Sequence, residues 1–397
     1  MNYADALNLF EALTAPIESD LFMSEIVGKR PVAVLGSGDD AQVRRLRLIG
    51  DDPKATILDS YRAHATELTC HIAEPKVPPP EPREVSGPEE FAGLVKEFHA
   101  ADYTVRIPQA SQLSPELAQF IRALEFLFSG MADTVVFWSG QGAEAPVHDD
   151  EYDVIAIQLL GQKKWYVSRE EASLRNPWRI GTPVPEIGRK SEIDVEPGDM
   201  LYLPRGTVHT VSTPSEESIH LSIAFNPVTV RDAMQACLDY LSDEERSLRE
   251  NASGRGDAVA CGDTLAPLED RVRAGLDKLA QAAKSDDFIR IAMRYRQSRL
   301  IGNMPKLEKG APVPVGPDST VRHAPTAVAA LLVNGEHVDF AQPGEHILVN
   351  AAVEESLSFI ADHPRFRVGD IPGPVDDPVR VALVQRLLAS GFLEPDA

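Results

Sequence analysis

Two histidines and one aspartate are spaced as the protein ligands of a single metal ion. The chain reads His148-Asp149-Asp150, and His209 follows 61 residues after His148. In an extended strand, residues two apart point to the same side, so His148 and Asp150 can reach one ion while Asp149 faces away. Two imidazoles and one carboxylate leave coordination positions open, which favours Fe(II) with a bidentate co-substrate and dioxygen over closed tetrahedral zinc. The alternative is a set of unrelated core or surface histidines.

The segments around these residues have the pattern of short antiparallel strands. Residues 154–160 (VIAIQLL) form an apolar, largely β-branched run, and residues 163–167 (KKWYV) follow after a Gly-Gln turn, so a hairpin is predicted. Turns at 197–199 (PGD) and 204–206 (PRG) enclose a further strand that leads to His209. This order is typical of a small antiparallel barrel that carries the metal ligands at its mouth.

A later strand alternates apolar and polar side chains. One face of the segment SIHLSIAF carries Ile219, Leu221, Ile223 and Phe225, and the other carries Ser218, His220 and Ser222. We place the polar face inside the barrel, near the metal. His220 is expected to support the site or to pack beside it, and direct ligation of the metal by His220 is the alternative.

Three segments together resemble the JmjC-type, cupin-like 2-oxoglutarate oxygenases, specifically the ribosomal oxygenase branch: HDDEYDVIAIQLLGQKKW, EPGDMLYLPRGTVHTV and SIHLSIAF. The resemblance covers most of the chain and is strongest around the metal motifs. It implies that His148, Asp150 and His209 bind Fe(II), that 2-oxoglutarate is the co-substrate with O2, and that the basic residue fifteen positions after the first histidine, Lys163, binds the distal carboxylate.

The physical argument for Lys163 agrees with the resemblance. A lysine that enters the barrel would be an unpaired buried charge unless an anionic ligand met it. Strand alternation sends only one of Lys163 and Lys164 inward, and the family spacing selects Lys163.

The same resemblance leaves the other co-substrate contacts open. Relatives carry an Asn and a Tyr on the strand before the metal motif, and an ungapped correspondence places Thr134 and Val136 there. Thr134 is therefore a candidate contact to 2-oxoglutarate, whereas valine has no hydroxyl. Ser139, Ser218 or His220 can contribute in its place.

The predicted fold class is α+β: a double-stranded β-helix of the cupin and JmjC type, a helical segment and a C-terminal winged-helix-like domain. The expected domains are residues 1–228 for the JmjC/cupin-like catalytic domain with N-terminal helices, 229–302 for a helical region, and 315–397 for the winged-helix-like domain. Relatives dimerise through such a helical region, so a homodimer is the corresponding expectation. A polar, proline-rich stretch over 74–90 predicts an exposed connector.

Composition limits the functional classes. The 397 residues are 43% hydrophobic and 25% charged, which is typical of a soluble globular protein. No apolar run is long enough for a membrane span and the first residues do not look like a signal peptide, so a cytoplasmic protein is expected. Three isolated cysteines, Cys70, Cys237 and Cys261, argue against a disulfide framework or a zinc site.

The charge favours basic partners over nucleic acid. The net charge is -22, and residues 321–397 carry five Arg and no Lys against eleven Asp and Glu, a net of -6. Direct binding to a phosphate backbone needs clustered cations, so no direct nucleic-acid contact is expected, even from a winged helix. An acidic surface suits a basic protein or peptide substrate, although an acidic isoelectric point is also common among cytosolic proteins.

The predicted function is an Fe(II)- and 2-oxoglutarate-dependent dioxygenase that hydroxylates a protein or peptide side chain, with histidine or arginine of a ribosomal protein favoured by the resemblance. A hydroxylase that tailors a peptide natural product uses the same chemistry. A cupin isomerase or dioxygenase would not need Lys163. A non-catalytic cupin binding module would be expected to lack one of the metal ligands, yet all of them are present.

Overall fold

The computed structural model describes residues 1–172, 174, 186–251, 266–310 and 313–396. It divides into two compact units, one formed by residues 3–227 and the other by residues 228–397 together with the first two residues. The predicted separation of the helical region from the winged-helix-like domain stays a prediction.

The first unit contains helices and two antiparallel sheets. Its helices are α1 (Tyr3–Thr14), α2 (Ser19–Leu21), α3 (Asp40–Leu46), α4 (Pro53–Asp59), α5 (Tyr61–His64), α6 (Pro88–Ala100) and α7 (Pro115–Phe128). Its strands are β1 (Val32–Val34), β2 (Thr69–His71), β3 (Thr104–Ile107), β4 (Ala132–Gly140), β5 (Asp153–Leu160), β6 (Lys163–Ser168), β7 (Lys190–Val195), β8 (Met200–Leu203), β9 (His209–Ser212) and β10 (Glu217–Phe225).

The strands form a seven-stranded sheet in the order β1-β8-β5-β10-β4-β3-β2 and a three-stranded sheet in the order β7-β6-β9. Both sheets contribute side chains to one cavity, so they face each other across it. This is the α+β barrel that the alternating strand pattern predicts.

One local prediction is wrong: β5 and β6 are not a hairpin. β5 pairs with β8 and β10, whereas β6 pairs with β7 and β9 in the other sheet. The turn between them contains Gly161 at φ +64°, and a Cβ there would lie 1.9 Å from the carbonyl oxygen of Glu217. The turn therefore carries the chain from one sheet to the other, and strand propensity alone does not distinguish the two connections.

The outer face of the large sheet packs on helices and forms the main core. Helix α7 begins at Pro115, after Ser114 whose Oγ accepts a hydrogen bond from the Leu117 amide at 3.0 Å. Its ring Phe128 contacts Phe225 of β10, with ring centres 4.7 Å apart. The apolar face of β10 that the sequence predicts is fully buried here, because every second residue of the strand points toward the helices.

A buried arginine connects the N-terminal helices to the turn before β8. Arg45 is fully buried and donates hydrogen bonds to three carbonyl oxygens: Leu13 at 2.8 Å, Ala15 at 2.9 Å and Gly198 at 2.6 Å. Gly198 has φ +88°, and a Cβ there would lie 2.5 Å from a side-chain carbon of Gln42. The turn needs glycine because of both its conformation and this close approach.

The second unit begins with helices. α8 (Val230–Glu244) starts at a capping box formed by Thr229 and Asp232. α9 (Ala266–Ala282) and α10 (Phe288–Asn303) follow, and α8 packs against α10 through Tyr240, whose ring centre lies 4.8 Å from that of Tyr295. Asp287 is the N-cap residue of α10, and a turn over residues 283–287 precedes the helix.

The rest of this unit is a small mixed fold. It contains β11 (Thr320–His323), β12 (Ala330–Asn334), β13 (His337–Gln342), β14 (Glu345–Asn350), α11 (Glu354–Asp362), β15 (Arg365–Arg367), α12 (Asp377–Ala389) and β16 (Leu393–Pro395). The strands form two three-stranded sheets, β12-β13-β14 and β15-β11-β16, around a separate apolar core.

The described residues bear on the expectations about membrane spans and cysteines. No helix among them combines the length and apolar character that crossing a bilayer requires. Cys70 and Cys237 are both free thiols, and Cys261 lies outside the described residues.

The buried arginine gives a stability prediction. Replacing Arg45 with methionine removes its donors and leaves buried carbonyls without partners, so the free energy of unfolding should fall by about 3 kcal/mol or more. The matched control is Arg47→Met on the same helix end, where the side chain is 68% exposed and pairs only with Asp51, so the change should stay within about 0.5 kcal/mol. Urea unfolding followed by circular dichroism measures both. Equal losses in the two variants would contradict the structural role of Arg45.

Candidate metal centre and co-substrate cavity

The metal-ligand candidates are brought together by backbone pairing. His148 and His209 form an antiparallel bridge in which each amide donates to the other carbonyl, at 3.0 Å and 2.8 Å. The carbonyl of Asp150 accepts a hydrogen bond from the Gly206 amide at 2.8 Å. His148 and Asp150 therefore lie on a short extended segment before β5, and His209 is the first residue of β9 beside it.

The side chains of His148, Asp150 and His209 converge. One ligand atom from each lies within 4.8 Å of the others. The Asp150 carboxylate is 3.8 Å from Nε2 of His148 and 3.7 Å from Nε2 of His209. Among the described residues this is the single group of His, Cys, Asp or Glu with that convergence.

Hydrogen bonds to the two imidazoles fix which nitrogen faces the centre. Nδ1 of His148 lies 2.8 Å from the carbonyl of Pro146, and Nδ1 of His209 lies 2.9 Å from that of Thr207. Because a carbonyl only accepts, each Nδ1 carries the proton and each Nε2 keeps its lone pair for a metal. Burial lowers the pKa of His209, which keeps its imidazole neutral. This donor set of two neutral imidazoles and one carboxylate fits a mononuclear Fe(II) centre.

The centre opens into a cavity of about 800 Å³ between the two sheets. Trp165 forms part of its wall and stacks on His209, with ring centres 5.6 Å apart and planes at 26°. At the other end, Met131 and Tyr152 line the cavity and are 48% and 45% exposed, so this end is open to solvent. The cavity can hold a small acid beside the metal together with part of a larger substrate.

Lys163 lies at the closed side of the cavity. It is 4% exposed, and its Nζ donates to Oγ of Ser139 at 2.6 Å. Ser139 Oγ is in turn 2.9 Å from Oγ1 of Thr104. Burial lowers the pKa of Lys163 to about 7, and no carboxylate of the described residues pairs with it. Lys164, in contrast, points outward and lies 3.4 Å from Asp194, as strand alternation requires.

The structure also corrects one predicted site residue. Thr134 is fully buried on the core face of β4, and Val136 belongs to the main core. The cavity face of β4 carries Asp133, Val135 and Phe137 instead. The ungapped correspondence with relatives places Thr134 on the wrong face of β4. The segment between β4 and His148 is irregular, so it does not continue the alternation of the strand. Thr134 therefore does not line the cavity.

The remaining predicted residues divide between the cavity and its support. His220 lines the cavity and stacks on Phe137, with ring centres 4.9 Å apart and planes at 4°. It does not belong to the convergent metal group. Ser218 is fully buried and accepts a hydrogen bond from Gln158 at 2.8 Å rather than lining the cavity. Ser139 reaches the cavity through its contact with Lys163.

The sequence patterns did not predict the polar cavity residues on β2 and β3, which are His71, Thr104 and Arg106. The sequence signal is the alternation in the segment TVRI, where Val105 and Ile107 are fully buried in the core and the two polar residues point the other way. This strand is only four residues long, and it lies about 40 residues before the metal-ligand motif.

Comparison with known proteins agrees with this geometry. Residues 107–233 match the JmjC domain family. The protein named Ribosomal oxygenase 2 from Bos taurus is 26% identical over 345 residues, which is 81% of this chain and 72% of that protein. Ribosomal oxygenase 1 from Homo sapiens is 26% identical and covers 75% of this chain and 54% of that protein. The chain spans 48% of the length of the Rattus norvegicus Ribosomal oxygenase 2.

Solved structures give the same fold. A structure of Escherichia coli YcfD, described as a ribosomal oxygenase in complex with cobalt and 2-oxoglutarate, is similar with a TM-score of 0.55 and 17% identity, and covers 96% of this chain and 99% of that one. Residues 107–233 are therefore similar to the JmjC domain family, and a larger part of the chain is similar to proteins named ribosomal oxygenases.

Proposed function

We propose that the chain is an Fe(II)- and 2-oxoglutarate-dependent hydroxylase that acts on a side chain of a protein or peptide. The observation that carries the proposal is the buried cation Lys163, which shares one cavity with the convergent His148, Asp150 and His209. A keto acid that reaches the metal at one end and Lys163 at the other is held at two points, which fixes its orientation.

Each residue has a defined task in this mechanism. Bound Fe(II) supplies the oxidising chemistry, in which 2-oxoglutarate and dioxygen are converted to succinate and carbon dioxide as the substrate is hydroxylated. The carbonyls of Pro146 and Thr207 keep the two imidazoles in the ligating tautomer. Lys163, held by Ser139, pairs with the distal carboxylate. Trp165 and Phe137 supply apolar walls that exclude water from the reacting atoms.

A polypeptide substrate is supported by the cavity and the charge. The volume of about 800 Å³ exceeds what a small keto acid fills, and the solvent-exposed end carries Asp133 and Tyr152, which can contact a longer chain. The net charge of -22 attracts basic proteins. The relatives' names favour a ribosomal protein, and one name includes histidyl-hydroxylase, so the acceptor is a histidine side chain or, as the family resemblance also implies, an arginine side chain.

The proposal also covers the second unit, the cellular location and the oligomeric state. Residues 315–397 are taken as a winged-helix-like module that contacts protein rather than nucleic acid, since residues 321–397 carry a net charge of -6. A cytoplasmic location accompanies a ribosomal-protein substrate. A homodimer is supported by helix α8, where Val230, Met234 and Leu238 repeat every four residues and are 80%, 59% and 39% exposed.

The catalytic proposal predicts that purified, iron-loaded protein forms succinate from 2-oxoglutarate in air, faster when a basic ribosomal protein is added. His148→Ala, Asp150→Ala and His209→Ala should each lose most bound metal and essentially all succinate formation, because each removes a protein ligand. Metal content by mass spectrometry and succinate by chromatography measure this. The matched control is Asp149→Ala, which removes an adjacent carboxylate and should retain iron. Turnover in any ligand variant whose melting curve is native would remove that residue from the site.

The buried lysine predicts a pH dependence of co-substrate binding. Lys163 has its pKa lowered to about 7, so it is charged below that pH and neutral above it, while a dicarboxylate needs the charged form. His71 and His220, the titratable groups beside it, are kept neutral by burial. The dissociation constant of 2-oxoglutarate for Mn(II)-loaded protein should be flat below about pH 7 and rise up to about tenfold per unit above it.

Calorimetry at several pH values measures this constant and the accompanying proton uptake. Lys163→Arg keeps its charge across the range and should remove the dependence, and Lys163→Ala should weaken binding by up to about 3 kcal/mol. Lys164→Ala is the control and should bind like the unmodified protein. The reverse ranking of the two alanine variants would place the co-substrate elsewhere.

The dimer proposal is tested on α8. Met234→Glu places a charge at the centre of the exposed apolar face and should convert the dimer to a monomer in light scattering after gel filtration. Leu348→Glu is the matched control, because Leu348 is 66% exposed on β14 and its replacement should not alter the mass. A monomeric unmodified protein, or an unchanged mass in Met234→Glu, would rule out this interface.

A further inference from the structure

Arg106 is a second cation in the same cavity. It lies on β3 opposite Phe137 of β4, and its guanidinium carbon is 5.4 Å from the centre of that ring. Its neighbours Val105 and Ile107 point into the core on the other face of the sheet, whereas Arg106 lines the cavity. The aromatic face of Phe137 therefore supports the guanidinium from one side.

The Arg106 guanidinium forms no ion pair with any residue that the structure describes. Nε of Arg106 is buried and has no hydrogen-bond partner among these residues. An arginine keeps its charge in proteins, and Arg106 is half-buried, so its guanidinium lies at the cavity wall without an ion pair among the described residues. The other polar contacts of this wall do not use Arg106, because Lys163 is held by Ser139.

Neither carboxylate that lines the cavity forms an ion pair with Arg106. Two carboxylates line the cavity: Asp150 belongs to the metal group, and Asp133 accepts a hydrogen bond from the Thr134 amide at 2.7 Å. His71 lines the same cavity as both cations, and burial together with the charges of Arg106 and Lys163 lowers its pKa to about 3, so it adds no further charge. The cavity thus holds two cations besides any metal, while one dicarboxylate bound through the metal and Lys163 leaves Arg106 unused.

We propose that Arg106, backed by Phe137, forms a second carboxylate-binding position in this cavity, distinct from the position at Lys163 and Ser139. A guanidinium can bind both oxygens of one carboxylate through parallel N–H donors, which a lysine cannot do. The carboxylate comes either from the co-substrate, which then bridges Lys163 and Arg106, or from the polypeptide substrate, as an acidic side chain or a chain end. The inference rests on the cavity and holds whether or not the proposed hydroxylation occurs.

A structural role for Arg106 makes a different prediction. If the guanidinium only covers Phe137, a methionine there should keep most of the contact, lower the melting temperature slightly and leave ligand binding unchanged. If Arg106 is an anion site, Arg106→Met removes a half-buried cation that has no ion pair among the described residues, so the melting temperature should change little while carboxylate binding is lost. Arg106→Lys keeps the charge without the two parallel donors and should bind with intermediate affinity.

The experiment uses full-length protein loaded with Mn(II) and two probes. Calorimetric titration measures 2-oxoglutarate binding. The shift in melting temperature on replacing chloride by acetate at constant ionic strength, with and without saturating 2-oxoglutarate, measures binding of a single carboxylate. The variants are Arg106→Met, Arg106→Lys and Lys163→Met. Arg62→Met is the matched control, because Arg62 lies over Tyr61 at 5.5 Å on the surface rather than in the cavity.

The outcomes separate the two sources. A loss of more than about tenfold in 2-oxoglutarate affinity in Arg106→Met assigns the carboxylate to the co-substrate. Unchanged 2-oxoglutarate binding with loss of the acetate shift in the saturated protein assigns it to the substrate. If Arg106→Met behaves like Arg62→Met with both probes, the inference is overturned. If the unmodified protein does not bind 2-oxoglutarate, the proposed function fails, and the acetate shift without 2-oxoglutarate still decides the role of Arg106.

Discussion

The alternation of side chains along β4 and β10 is the constraint on which both the core and the site depend. These two strands lie at the centre of the large sheet, paired over nine residues, so each side chain has one of two environments. One face is apolar except for Thr134 and packs on helices such as α7. The other face lines the cavity with Asp133, Val135, Phe137, His220 and Ser222. A slip of one residue would bury the polar set and expose the apolar set, so the core fixes the register of the site.

The cavity contains two cationic side chains, Lys163 and Arg106, that form no ion pair with the described residues. Among the described residues, Lys163 donates to the Ser139 hydroxyl, and Arg106 lies over the Phe137 ring with no hydrogen-bond partner for its Nε. Keeping such groups apart from water costs stability, which the main core must offset. The cost is recovered when an anion binds, because the charge pairs in a site of low dielectric. The unpaired cations are thus evidence about ligands, whereas the buried Arg45 is fully hydrogen-bonded to carbonyls and is structural.

Strand alternation is a local rule that needs no knowledge of distant residues, and it predicts that His148 and Asp150 share one side and that one of Lys163 and Lys164 points inward. His209, 61 residues on, and the choice of Lys163 needed the wider motif pattern and the family resemblance. The position of Thr134 could not be predicted in this way, because an irregular segment separates its strand from the metal motif and the count loses its parity. The predicted hairpin of β5 and β6 was wrong for a related reason. Each strand pairs with strands that come later in the sequence, such as β10 for β5 and β9 for β6. Arg106 was missed because its strand is short and its partner Phe137 carries no polar signal.

Charge on the surface and charge in the cavity have opposite signs, and salt affects them differently. The net charge of -22 is spread over exposed carboxylates, whose attraction for a basic polypeptide is screened over about 8 Å at physiological ionic strength. Lys163 is 4% exposed, so its attraction for a carboxylate acts at contact distance, where mobile ions do not enter. Ionic strength therefore acts on capture of the proposed polypeptide and much less on retention of the small acid. Salt thus weakens the attraction between the polypeptide and the surface carboxylates much more than the contact between Lys163 and the small acid. The buried cation lets the cavity bind a dianion although the net charge of the protein is negative.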